Sequence, residues 1–192
     1  MEVQYWDSIE NVSRNELKKL QLFRLKETVQ RASASLFYRS VFKQHKLSAD
    51  IIHSAEDLQR FPFTNRSDIS SHYPFGLLSV DRCEVVRFHS SAGAYAPKKG
   101  IFYTKDDLSA WASLVARSFY ATGMVSTDIL QVMTDFGLHT TSHGCELGVE
   151  EMGVLVIPAG NISMHRHIQL MKELGATVLY LPAGMLATLV DT

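Results

Sequence analysis

Between Arg87 and Gly100 the chain reads Arg-Phe-His-Ser-Ser-Ala-Gly-Ala-Tyr-Ala-Pro-Lys-Lys-Gly, the stretch best suited to chemistry. Ser90 and Ser91 offer hydroxyls, and Gly93 lets the backbone approach a ligand closely. Successive amides in such a loop can form an anion-binding nest. Anion binding is the chemistry these residues would serve together. The stretch is not a Walker loop, because it has no Gly-x-x-x-x-Gly-Lys and no helix pattern follows directly. Taken alone, Ser and Gly between two strands ordinarily mark a plain hairpin.

Two other clusters could carry chemistry. His139, His143 and Cys145, with Glu146 adjacent, are zinc-ligand types within seven residues. No second ligand pair at tetrahedral-site spacing accompanies them, so they are expected to line or flank a pocket. Ser90 or Ser91 beside His89 invites a hydrolase reading. There is no Gly-x-Ser-x-Gly elbow, and neighbours on a strand point to opposite faces, so that reading is set aside. His165 and His167 fall two apart on a predicted helix, hence on different faces, and both are expected at the solvated surface. Trp111, Val115 and Phe119, four apart, are expected in the core.

These residues are positioned by an alternating pattern of elements. Ser13 with Glu16 three residues on makes a capping box, and Leu22, Leu25, Val29, Ala32 and Leu36 then draw one apolar stripe. A short helix is predicted over 36–44, and another from Ser54 with Asp57 as its capping acid. Residues 61–78, broken by Pro62 and Pro74, read as a connecting stretch. From 84 the period changes. Strands are predicted over 84–89, 100–103, 129–133, 154–157 and 177–181. Helices are predicted after Thr104, over 142–152, over 162–174 and from 185. The expected fold class is α/β: an N-terminal helical segment (1–60), a connecting stretch (61–83), and alternating βα units of a mostly parallel sheet (84–192).

Composition narrows the partners. A net charge of -1 supports neither nucleic acid nor an anionic membrane as a partner. No run approaches the ~18 apolar residues of a spanning helix, and the N-terminus lacks a signal-peptide pattern. Two cysteines, Cys83 and Cys145, without a Cys-x-x-Cys pair, are expected as reduced thiols of a cytoplasmic protein.

The wording of several segments resembles the phenylacetate–CoA ligase family of AMP-forming adenylating enzymes. Members carry a phosphate loop of the type Ser-Ser-Gly-Thr-Thr-Gly-Lys-Pro, preceded by a basic residue and His and followed by Tyr-Thr. Arg87, His89, Ser91, Gly93, Tyr103 and Thr104 stand at matching offsets. Upstream, Pro62, Phe63, Thr64, Asp68 and the Tyr-Pro-Phe-Gly-Leu-Leu of 73–78 match a second block. Downstream, Phe136, Gly137, Leu138 and His139, followed by Gly144 and Gly148, are similar to the segment forming part of the aryl-acid pocket. Val156-Ile157-Pro158 and the Leu-Gly-Ala-Thr-Val-Leu of 174–179 continue the likeness. The loop also departs from the pattern: Ala94 and Tyr95 replace the two threonines, and Ala96-Pro97-Lys98 stands where Gly-Lys-Pro is usual. Each lost hydroxyl contact is worth about 0.5–1.5 kcal/mol.

The resemblance implies the N-terminal portion of an ATP-dependent, aryl-acid CoA ligase that forms an acyl-adenylate and then an acyl-CoA when complete. It implies ATP, Mg²⁺ and CoA, with an aryl carboxylic acid as substrate. Ser90, Ser91, Gly93 and Lys98 are the expected phosphate contacts, and Phe136, Gly137, Leu138 and His139 the expected acid-pocket residues. No catalytic residue and no metal ligand is assigned. The family's adenine, metal, ribose and C-terminal lysine motifs lie beyond the matching region, so the chain is expected to be a truncated ligase. A second polypeptide half or a homodimer would be its macromolecular partner. The alternative expectation is a catalytically inactive, ligase-like module acting in dimerisation or partner binding.

Overall fold

The structure, a computed structural model, describes residues 5–90, 99–138 and 140–191. The chain divides into two compact units, Met1–Thr104 and Lys105–Thr192. In the first, α1 (Arg14–Ala32) begins at the expected capping box: the Glu16 amide donates to Ser13 Oγ at 3.3 Å, and the Ser13 amide to Glu16 Oε2 at 2.9 Å. Leu22, Leu25, Val29 and Ala32 pack against Phe42 of α2 (Leu36–His45) and Ile52. Leu36 does not join that stripe. The helix stops at Ser33, and Ser35 caps a new one, which leaves Leu36 70% exposed in its first turn.

Asp57 accepts from the amides of His53 and Ser54 at 2.9 and 3.0 Å and caps a 3₁₀ turn over Ala55–Arg60. The connecting stretch is more ordered than its prolines suggest. It contains a short helix, α3 (Arg66–Ser71), opened by a second reciprocal box in which Asn65 Oδ1 accepts from the Asp68 amide and Asp68 Oδ2 from the Asn65 amide.

β1 (Val85–Ser90) and β2 (Gly100–Thr104) pair antiparallel, with Ser90 opposite Gly100. Phe88 and Phe102 stack with centroids 5.1 Å apart, and Phe75 joins Phe102 at 5.2 Å. Gly100 is required by this packing, because a Cβ there would lie 2.6 Å from the Phe88 ring.

The second unit is built on a parallel sheet in the order β4-β3-β5, comprising β3 (Ile129–Val132), β4 (Leu155–Ile157) and β5 (Val178–Tyr180). Parallel neighbours need crossovers, and α5 (Thr140–Glu151) and α6 (Met164–Leu174) supply them. The central strand is buried through Leu130, Gln131 and Val132. α4 (Lys105–Ala121) lies against α5 at a place with no room for side chains on α5. A Cβ at Gly144 would sit 2.5 Å from the Trp111 ring, and one at Gly148 would sit 2.5 Å from Val115 Cγ1. Gly175, in the left-handed region at φ 66°, ends α6. The chain continues into α7 (Ala183–Val190).

One expectation about α6 is corrected. His165 is exposed, but His167 is fully buried. The two do lie on different faces, and the face carrying Met164, His167, Ile168 and Met171 is the inward one, at the spacing of an amphipathic stripe. Gln131 Nε2 donates to the His167 carbonyl at 3.2 Å and lies 3.1 Å from His167 Nδ1.

Candidate functional site

β1 brings Ser90 to the mouth of the loop. Its Oγ donates to the Lys99 carbonyl at 2.8 Å, closing the base where the strands separate. The hydroxyl proton is thus committed to the backbone, and only its acceptor capacity remains for a ligand. Ser91, Gly93 and Lys98, the other expected phosphate contacts, lie outside the described residues. His89 is buried, and its ring meets the Tyr103 ring edge-on at 5.5 Å. A buried imidazole fixed in this way is a structural neighbour of the loop.

In the second unit, the segment after β3 carries three of the four residues expected at the acid pocket. His139 lies outside the described residues. Phe136 is half-buried, and Gly137 and Leu138 are exposed. A Cβ at Gly160, just past β4, would lie 3.5 Å from the Phe136 ring. The Gly160 amide donates to the Val132 carbonyl at 3.0 Å, which ties the exit of β4 to the end of β3. Phe136 and Gly160 therefore meet beyond the carboxyl ends of parallel strands, where open α/β sheets bind ligands.

The start of α5 holds this segment through Ser142, which the sequence does not single out, and His143, which it expects to line or flank a pocket. Ser142, fully buried, donates to the Asp135 carbonyl at 2.6 Å. Having spent its one proton there, it accepts from Thr134 Oγ1 at 2.5 Å. His143 Nε2 lies 2.6 Å from the Phe136 carbonyl. A carbonyl only accepts, so Nε2 carries the proton. The rings of Phe136 and His143 pack edge-on at 5.3 Å, and His143 Nδ1 is 3.6 Å from Glu146 Oε2. The signal in sequence was a Ser-His pair in the first turn of a helix following a strand.

Among the described residues no group of three or more His, Cys, Asp or Glu could hold a metal ion. Cys145 is buried, with its thiol pushed up to about 11 by burial and its side chain hydrogen-bonded to Tyr180. At neutral pH it is a protonated, unreactive packing group. Gly144 and Gly148 face Trp111 and Val115 of α4 and let the two helices close.

No family model matches the chain. Its fold matches that of 2-hydroxyisobutyryl-CoA ligase in complex with 2-HIB-AMP and CoA in the thioesterification state. That match has a TM-score of 0.84 at 23% identity, over 94% of this chain and 40% of that one. An open conformation of the same ligase matches with a TM-score of 0.82 over 92% of this chain. The fold is thus that of part of an adenylate-forming CoA ligase. In sequence, the chain is 33% identical over 186 residues to the phenylacetate-coenzyme A ligase of Aromatoleum evansii, and 34% identical over 168 residues to that of Escherichia coli K12. The Pseudomonas putida enzyme is 32% identical over 96% of the chain. The chain belongs to the phenylacetate–coenzyme A ligase family and corresponds to the N-terminal portion of its members. It spans 42% of the length of the Aromatoleum evansii relative.

Proposed function

We propose that this chain provides the N-terminal portion of an ATP-dependent aryl-acid CoA ligase. The complete enzyme would join an aryl carboxylate to ATP as an acyl-adenylate, release pyrophosphate, and transfer the acyl group to CoA. In this reading Ser91, Gly93 and Lys98 contact phosphate, Ser90 joins them by turning its proton away from the Lys99 carbonyl, and Phe136, Gly137, Leu138 and His139 line the acid pocket. Adenylation needs developing charge on the α-phosphate to be stabilised, and Mg²⁺ would supply part of that. Among the described residues no group of three or more His, Cys, Asp or Glu could hold it. A cytoplasmic location accords with two unpaired thiols and with the absence, among the described residues, of any helix long and apolar enough to cross a membrane.

The observation that carries the reading is the Phe136 segment, an aromatic wall at the carboxyl edge of a parallel sheet, in a chain matched over 96% of its length by phenylacetate-coenzyme A ligases. The test is acid-dependent exchange of labelled pyrophosphate into ATP. It is run on the chain alone and on the chain mixed with the unmatched remainder of the Escherichia coli relative. Exchange above a no-acid control in either arm supports the proposal, and silence in both arms from folded proteins opposes it.

One feature favours a second reading, a non-catalytic module for a homodimer or a second polypeptide half. α7 has no buried residue, and Leu186 and Val190 are 49% and 77% exposed. Contiguous exposed apolar surface of this kind marks association sites. A concentration-dependent mass by light scattering, abolished in Leu186→Lys/Val190→Lys, would support it.

A further inference from the structure

Two consecutive residues of α5 grip two consecutive carbonyls of the segment proposed to face the acid. Ser142 donates to the carbonyl of Asp135 and His143 to that of Phe136, each at 2.6 Å. Thr134 adds its hydroxyl to Ser142, and the Gly137 amide turns back onto Asp135 Oδ1 at 3.3 Å. Past Met133 the segment is no longer part of the β-ladder, so its carbonyls need partners from elsewhere. A chain of this kind, containing a glycine, has much freedom to lose on binding unless something has already fixed it.

We propose that His143 is a positioning residue for substrate recognition: its Nε2–H, with Ser142 beside it, pre-orders Phe136 as the wall against which an aryl carboxylic acid packs. The inference deepens the proposed function and rests on it. His143 suits this task for two reasons. Its ring meets the Phe136 ring edge-on, so one side chain fixes both the backbone and the aromatic plane of its neighbour. It also stands next to Ser142 on α5, so its Nε2–H binds the carbonyl that follows the one Ser142 already holds. A leucine would fill similar space and keep the helix, but it offers no donor. A glutamine keeps an N–H near the same place.

The test uses the whole chain, labelled with ¹⁵N, as wild type, His143→Leu and His143→Gln, with phenylacetate as probe. In the wild type, the imidazole ¹⁵N spectrum should show a protonated, hydrogen-bonded Nε2. Phenylacetate should shift the amides of Gly137 and Leu138. His143→Leu should weaken binding about fivefold, the scale of one hydrogen bond, and His143→Gln should restore it to within about twofold. Equal affinity in wild type and His143→Leu would overturn the inference while leaving the proposed function standing. Absence of phenylacetate binding in the wild type would count against the proposed function for this chain. The clamp is then judged by amide hydrogen exchange at Gly137: faster in His143→Leu and restored in His143→Gln supports it, and no change overturns it.

Discussion

Replacing Gly148 by alanine tests the packing that sets where α5, and with it Ser142 and His143, can lie. In an open helix this change stabilises by roughly 0.8–1 kcal/mol, because alanine loses less backbone entropy on folding. Here the new Cβ would stand 2.5 Å from Val115 Cγ1, 2.6 Å from Val115 Cβ and 2.9 Å from the Ala116 amide nitrogen. The last two atoms cannot rotate away, so α4 and α5 must separate. Overpacking of this sort costs about 1–3 kcal/mol, and with backbone in the way the upper part of that range applies. The net expectation is a loss of about 2 kcal/mol, or a fall in Tm of about 4–8 °C for a chain of this size. Gly184→Ala is the control, since nothing lies within 4 Å of its added Cβ in α7; it should be neutral or stabilising by up to about 1 kcal/mol. Thermal unfolding followed by Trp111 fluorescence in a Trp6→Phe background reads the α4–α5 pair directly. A Gly148→Ala protein as stable as its parent would refute the packing argument.

The two cysteines should separate cleanly: Cys83, exposed, reacts with a thiol reagent in the native protein, whereas Cys145, with its thiol near 11, reacts only after unfolding. Rapid native labelling of Cys145, read by mass spectrometry, would contradict its placement. His167 is buried and its pKa is held below the ordinary 6.5 by loss of solvation. The unfolded chain therefore binds the proton more readily, so stability should be flat above about pH 6.5 and fall as the pH drops below it. Urea unfolding across pH 5–8 measures this, and a His167 resonance titrating at or above 6.5 would oppose it.

Where the determinants are local, the sequence carried them. The boxes Ser13–Glu16 and Ser54–Asp57 are four-residue signals, and both appear with the expected partners. The Asn65–Asp68 box has the same form, but between two prolines the stretch reads as connection. Leu36 fitted the α1 stripe by spacing, yet Ser33 to Ser35 end that helix first. His167 shows a different limit. Spacing tells that two histidines point apart, but not which face meets the sheet, and Gln131, thirty-six residues earlier, supplies its partner. The segment proposed to face the acid is legible mainly through family wording. Its physical support is not, because the grip of Ser142 and His143 on residues 135 and 136 depends on how α5 leaves the β3 edge. Ser91, Gly93, Lys98 and His139 lie outside the described residues, so their assignments rest on the sequence alone.

The most direct measurement of the central claim is calorimetric binding of a non-hydrolysable phenylacetyl-adenylate analogue to the purified chain. If residues 90–98 contact phosphate and residues 136–139 the acid, as proposed, the chain should bind the analogue more tightly than it binds AMP or phenylacetate alone. A folded chain that binds the analogue no better than either fragment would contradict the account.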